Sequence, residues 1–556
     1  MMKQYKFLAL CALIAAAVSC DLTEKPTSFY EKDTYFDSYT KARMSVMGIY
    51  DVISTTNHYG QWEMALPSSD DTYYINGTAS DGTRRDISHY TVTSTNKWLT
   101  AIWQLKYSAI DRASFAIAGI EGMADYENNA ELKALVAEAK FLRAFMAFDL
   151  IKYWGDVPFK TTYSSGYEDA FQPRTPREDI YDYIIDDLTF AKTWLKSGAG
   201  LSPETPSKGA AHALMMRALL QRAGYSLQMD GSMTRPDDAT REKYFKDVIT
   251  EWEEMQKEGY HGFYDGGYLA LFKGYSQLIL DSKESLWEIP FEPQGENFAD
   301  NEGKWATWNG PLVDAPGEGS DNTNYMGRAN AFFRVMPAWK NFFEDTDARR
   351  DVMVCTYQLK WDKEIVNHVK KEQKNEKNWY PGKWRREWMA MGYVDPNNTS
   401  VNYCPLRYAD AVLMAAEAYN ETGNTTEALR LINLVRARSG ATEITLDGNY
   451  SSLMKAPKVY DLPFISDADA KGKIRTILYW ERGFELAFEG QRKYDLVRWN
   501  VLGDALVLFQ NNMPSNLKGL YVAGTNFQKG KHELFPIPLT ELQANAKMEN
   551  KQNPGY

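Results

Sequence analysis

The chain has 556 residues, 44% of them hydrophobic and 25% charged, and a formal net charge of −11. That length suffices for a large buried core, and the acidic balance works against a nucleic-acid partner, because phosphate backbones are held by clustered Lys and Arg. The six histidines, His58, His89, His212, His261, His368 and His532, are scattered rather than set at ligand spacing, so no structural zinc and no cofactor are expected.

At the amino terminus Lys3 and Lys6 precede an apolar stretch, 7–18, that is too short to span a bilayer and has the length of a signal-peptide core. Residues 1–19 are read as a leader. Cys20 stands where this run gives way to "DLTEKP", just after Ala17 and Ser19, the small residues a signal peptidase needs. An ordinary secretory cut has no use for a cysteine there. A bacterial lipoprotein signal does, since the thiol receives a diacylglycerol and the new amino terminus is acylated. Several chains are needed because one gives only marginal, reversible attachment.

Without Lys3 and Lys6 the formal charge becomes −13. No later run reaches ~18 uninterrupted apolar residues, so the mature chain is expected to be soluble and to hang from its lipid. Cys11 leaves with the leader and Cys20 carries lipid; Cys355 and Cys404 admit one disulfide or two buried thiols.

Apolar periodicity predicts helices at about 39–54, 98–121, 131–154, 177–197, 208–224, 241–257, 405–422, 425–438 and 472–489. In the third, Leu135, Ala139, Leu142, Met146 and Leu150 form one stripe while Lys133, Glu138, Lys140 and Arg143 fall largely elsewhere, and Gly155 followed by Pro158 ends it. In "LRYADAVLMAAEAYNETGNTTEALRLINLVRARSG" a helix rich in Ala ends at Gly423 and a second begins near Thr425. Small residues at these steps let two helices approach closely, as in a tetratricopeptide hairpin. Residues 258–400 differ: they are rich in Gly, Asn and Trp, with few long periodic runs, and a loop region of this length is functional or disordered. Its aromatic content argues against disorder.

Taken in order, "CDLTEKPTSFYEKDTYF", "EAKFLRAFMAFDLIKYWGDVPF", "SKGAAHALMMRALL", "ESLWEIPF", "LRYADAVLMAAEAYNETGN", "NLVRARSG", "ERGFELAFEGQRKYDLVRWN", "LFPIPLTEL" and the terminal "QNPGY" resemble the SusD/RagB family of outer-membrane nutrient-binding lipoproteins. The resemblance covers nearly the whole mature chain. It implies a mainly α fold, a tetratricopeptide-like superhelix of helical hairpins with a loop-rich ligand face, in a single domain over 20–556: an N-terminal helical part (20–257), a loop-rich insertion (258–400) and a C-terminal helical part (401–556). It also implies a surface location, a SusC-like TonB-dependent outer-membrane transporter as partner, and capture of oligosaccharides or, in some members, peptides.

Within "ERGFELAFEGQRKYDLVRW", Glu481, Glu485 and Glu489 recur at four-residue steps and are read as one helix face. Carboxylates on one face project the same way, whereas a glycosidase flanks its scissile bond from two sides. Arg482, Arg492 and Arg498 nearby favour an ion-pair lattice that fixes packing. No nucleophile elbow and no phosphate-cradling loop is present. No enzymatic activity is expected.

A saccharide site needs flat aromatic faces and directional polar groups. Two stretches offer them. Tyr73, Tyr74 and Asn76 stand where the resemblance places one wall of the glycan site, and Trp305, Trp308, Asn309, Tyr325 and Arg328 in the loop-rich segment form a second candidate wall. For Trp305 and Trp308 binding and packing stay open. Trp103 and Tyr107, at helical spacing with Ile110, are read as packing residues, and Trp98 is undecided.

Overall fold

The computed structural model describes residues 35–61, 69–74, 77–292, 300–313, 328–362, 369–389, 398–448 and 468–556. Cys20, Asn76 and Tyr325 lie outside them. The main helices are α1 (Tyr39–Ile53), α2 (Lys97–Glu121), α3 (Ala130–Trp154), α4 (Arg177–Trp194), α5 (Lys208–Ala223), α6 (Asp238–Lys257), α7 (Gly267–Ser276), α8 (Tyr408–Glu421), α9 (Thr425–Arg438), α10 (Ala470–Leu486), α11 (Arg492–Arg498) and α12 (Leu502–Asn512).

Side-chain oxygens of Asn96, Asn129, Ser207, Asp237, Asn424 and Asp469 accept from backbone N–H groups at the starts of α2, α3, α5, α6, α9 and α10. These caps satisfy donors that a helix start otherwise leaves without partners. Each helix from α1 to α5 packs on the next, α6 packs on α8, and α8 packs on both α9 and α10. The result is a mainly α fold, a tetratricopeptide-like superhelix of stacked helical hairpins.

The apolar stripe expected on α3 widens to the whole circumference, for Glu138, Arg143, Asp149 and Lys152 are buried as well. Packing by α1, α2, α4 and α5 surrounds the helix, and its charges are matched inside: Arg143 to Asp187 at 2.8 Å, Asp149 to Lys106 at 3.0 Å and to Lys152 at 2.6 Å, Glu138 to Arg43 at 2.7 Å. Buried charges tolerate this position only because they are paired. Gly155 ends α3 at φ 72°, a backbone region that favours glycine.

Short strands hold the loop-rich part against the helices. β1 (Thr72–Tyr74) pairs antiparallel with β3 (Phe333–Val335), β2 (Ser285–Ile289) with β6 (Tyr403–Arg407), and β4 (Tyr357–Trp361) with β5 (Val369–Gln373). Two expected helix ends are corrected here. Residues 405–407 belong to β6, drawn out of the helix by pairing with β2, so α8 begins at Tyr408. α10 stops at Leu486, because Phe488 turns to φ 70° and its N–H donates to buried Asp71 at 3.0 Å. Glu489 therefore leaves the helix that carries Glu481 and Glu485. Cys355 and Cys404 are free thiols that donate to the carbonyls of Tyr357 and Leu406.

Candidate ligand-binding site

The β1–β3 ladder sets Tyr73 opposite Arg334 and Tyr74 opposite Phe333. Both tyrosines are buried. Tyr73 donates to the Lys377 carbonyl at 3.2 Å, and burial pushes its hydroxyl up to about 12. Tyr74 stacks on Phe332, with ring centroids 5.8 Å apart and planes 15° from parallel.

Next to this ladder the loop 80–86 is knotted by its own aspartates: Asp86 accepts from Ser80 and from the N–H groups of Asp81 and Gly82, and Asp81 accepts from those of Thr83 and Arg85. Asn96 ties the loop to α2, capping the helix with its oxygen while its amide nitrogen donates to Thr83 O at 2.9 Å. The loop thereby delivers Arg84 to an aromatic cluster.

The Arg84 guanidinium lies 3.9 Å from the ring centroid of Phe332, 4.8 Å from Trp308 and 5.5 Å from Trp98. Its Nε donates to the Tyr74 hydroxyl at 3.0 Å, whereas its two terminal nitrogens bond to no described group. Trp98 and Trp308 stack 5.9 Å apart at 7°. Backbone bonds from Ala331 to Thr307 and from Phe332 to Trp308 lock together the two segments that carry Trp308 and Phe332. Trp98, Phe332, Arg84 and Lys304 are each half-buried, so the cluster is closed behind and open in front. Aromatic faces with a guanidinium beside them suit a ligand with an apolar face and a hydroxylated edge.

The expected residues divide. Trp308 joins the cluster, at 7% exposure, as the backing ring behind Trp98. Trp305 does not: it is fully buried between Trp384, at 5.0 Å edge-on, and Tyr403, at 4.7 Å. Asn309 is buried too, donating to the Phe488 carbonyl at 2.9 Å. Tyr73, Tyr74, Trp305 and Trp308 therefore form no exposed wall: pairing of β1 with β3 buries the two tyrosines, and the short helix Trp305–Trp308 buries the two tryptophans. Arg328 is exposed. Arg84 and Phe332 were missed; a lone Arg–Arg pair and a lone Phe–Phe pair carry no signal until the fold sets them side by side.

The row of glutamates serves packing. Glu485 meets Arg349 at 3.5 Å, Arg407 at 3.1 Å and also Arg438; Glu481 meets Arg349 at 3.0 Å and also Arg436; Glu489 meets Arg407 at 2.8 Å and also Lys383. Burial alone would push the Glu485 carboxyl up, but Arg438, Arg407 and Arg349 outweigh it and hold it at about 2. Such a group stays ionised and is no proton donor at neutral pH. Among the described residues, His212, Glu251 and Glu254 bring ligand-type atoms within 4.8 Å of one another, but the Lys192 ammonium already bridges both glutamates at 2.6 and 3.1 Å.

Two family models match successive parts of the chain, one described as the SusD family over residues 283–556 and one as starch-binding associating with outer membrane over 21–220. The SusD-like protein P2 of Formosa agariphila is 25% identical over 560 residues, covering 100% of both chains. A SusD homologue from Bacteroides thetaiotaomicron VPI-5482 superposes with a TM-score of 0.77 at 24% identity, over 94% of this chain and 98% of its own. The surface glycan-binding protein A of Bacteroides fluxus does so with a TM-score of 0.68 at 20% identity, over 93% and 100%. The helical-hairpin scaffold, the loop-rich face mounted on it and these matches along nearly the whole length agree: the chain belongs to the SusD family.

Proposed function

We propose that this protein is a cell-surface glycan-binding lipoprotein, anchored in the outer membrane through Cys20 and facing the exterior, that captures polysaccharide or oligosaccharide and passes it to a SusC-like TonB-dependent transporter without cleaving it. The observation that carries the reading is the open cluster in which half-buried Trp98 and Phe332 flank Arg84, whose terminal nitrogens are free to meet sugar hydroxyls. The name of the Bacteroides fluxus relative and the outer-membrane association in the description of the 21–220 match support it. Among the described residues no helix is long and apolar enough to cross a membrane, in keeping with attachment by lipid.

Binding without cleavage fits the glutamate row, whose members are paired with arginines and Lys383 and whose Glu485 carboxyl is held well down. The deciding experiment is calorimetric titration of the mature protein against purified plant, host and microbial glycans, with peptides included and reducing-end release followed in parallel. Saturable glycan binding weakened well over tenfold in Trp98→Ala, with no sugar released, is the expected result. Turnover in pure protein, or binding of peptides alone, overturns it.

A further inference from the structure

A cavity of about 330 Å3 opens between α2 and the segment 158–172, with Glu541 at its edge. Tyr107, Phe159 and Phe171 wall it, and Trp103 closes its floor. The rings are fixed: the Tyr107 hydroxyl donates to Pro158 O at 2.6 Å, and Trp103 Nε1 donates to Glu541 at 3.2 Å. Beside the mouth Tyr167 stands edge-on to Phe171, 5.0 Å between centroids, and is 72% exposed. A large ring so exposed contributes almost nothing to the core.

The charged groups here already have hydrogen-bond or ion-pair partners. Lys160 pairs with Asp169 at 3.0 Å, Glu541 accepts from Trp103 and from Asn545 at 2.8 Å, and Asp111 accepts from the N–H of Ser164 at 2.7 Å. By contrast, the Gln104 amide and the hydroxyls of Ser108, Thr162 and Ser164, all in the lining, bond to no described protein group. Aromatic walls with unengaged hydroxyls and an amide match a ligand that is apolar on its ring faces and hydroxylated at its edges. No uncompensated cation is present among the lining residues to draw an anionic ligand.

We infer that this cavity is a second saccharide subsite, taking a neutral unit of one or two sugar rings. Its volume sits at the low end for small-molecule sites. Tyr107 and Trp98 are nine residues apart on α2, about two and a half turns, which sets them on opposite faces of the helix and roughly 13 Å apart along its axis. The two sites are separate, and a long glycan engaging both would be retained more firmly than by either alone. The inference takes only the class of ligand from the function proposed above.

Saturation-transfer NMR with maltose, cellobiose, laminaribiose and mannobiose, and with N-acetyltryptophanamide as a peptide-like probe, tests it on four mature proteins: Trp98→Ala, Trp98→Ala with Ser108→Trp, Trp98→Ala with Tyr167→Ala, and Ser108→Trp alone. At least one disaccharide should still report on Trp98→Ala, vanish when Ser108→Trp fills the cavity, and weaken roughly tenfold with Tyr167→Ala, which is too exposed to affect folding. No transfer from any disaccharide onto Trp98→Ala overturns the inference, as does transfer undiminished by both added changes, or binding of the tryptophan amide alone. If Trp98→Ala changes nothing while Ser108→Trp alone abolishes binding, the cavity stands and the Arg84 cluster falls.

Discussion

Trp98 and Trp308 lie 7° from parallel with centroids 5.9 Å apart, one at the solvent edge of α2 and the other buried behind it. The buried ring fixes the angle of the open one, so a ligand meets a preset surface rather than a mobile side chain.

Trp98→Ala should therefore lower glycan affinity by well over tenfold, the ~2 kcal/mol typical of a central aromatic. Arg84→Ala should weaken binding in the same direction, since it removes the terminal nitrogens along with a Tyr74 bond. Trp305→Ala should do the reverse. Its fully buried ring leaves a cavity costing about 3–5 kcal/mol of stability. Titration and thermal unfolding on the same samples separate the two behaviours; normal binding by both Trp98→Ala and Arg84→Ala would move the site elsewhere.

Gly423 joins α8 to α9 at φ 91°, and a Cβ built there meets nothing within 4 Å. The cost of a side chain is thus backbone strain alone. Gly423→Val should destabilise by about 1 kcal/mol or more, and Gly423→Asn by less, because asparagine tolerates the left-handed region better. Equal melting points for the two variants would count against this account.

The Gly423 turn was legible because glycine before a capping Asn424 and a new periodic run has a local cause. The helices at 97–121, 130–154 and 425–438 were legible for the same reason, their caps and apolar spacing being written locally, and that at 39–53 by its apolar spacing alone. α11 and α12 were not, as α11 is too short and too charged for a stripe to show. The site was half legible. Aromatic-rich loops supplied Trp308 to the candidate cluster, but which ring faces out is decided by partners far away in sequence. Trp305 is enclosed by Trp384 and Tyr403, and Trp308 is backed by Phe332; neither contact leaves a trace in "KWATWNG".

Cys20→Ala should abolish acylation and release the protein from membranes, since the lipid is the one membrane-seeking element the sequence suggests. Metabolic labelling with a palmitate analogue followed by fractionation checks it. Persistent labelling would refute the lipid assignment.

Glu485 is the meeting point of Arg349, Arg407 and Arg438, and Glu485→Gln would leave three buried guanidiniums short of a counter-charge. A loss of about 3–5 kcal/mol is expected. Because the folded carboxyl is held at about 2 against an ordinary value of 4.5, its stabilisation is present above pH 4.5 and fades as pH falls toward 2. The melting point of the native protein should drop more steeply than that of Glu485→Gln between pH 5 and 2.5. Parallel curves would mean that Glu485 contributes by shape rather than by charge.

Lys493 on α11 presents the opposite case. Its ammonium is buried 4.3 Å from the Phe535 ring centroid and 5.0 Å from that of Tyr90, and it bonds to no described group. Burial pushes it down to about 7, only partly opposed by Glu533, from an ordinary value of 10.5. Below pH 7 the folded protein must carry a buried charge that the unfolded chain keeps in water, so the penalty is complete there. Between pH 7 and 10.5 the unfolded chain binds more protons than the folded one, and stability rises with pH as the penalty is relieved. Lys493→Met keeps the stem and removes the charge, so it should raise the melting point by on the order of 1–3 °C at pH 6, with the gain shrinking by pH 9.5. Lys383, pushed down to about 8 by its own burial, adds a slope of the same sign, but both proteins share it and it cancels in the difference. Differential scanning calorimetry at pH 6, 7.5 and 9.5 reads the gap directly. A gap that stays constant, or that grows with pH, would show that Lys493 is solvated in the folded state and that its rings do not exclude water.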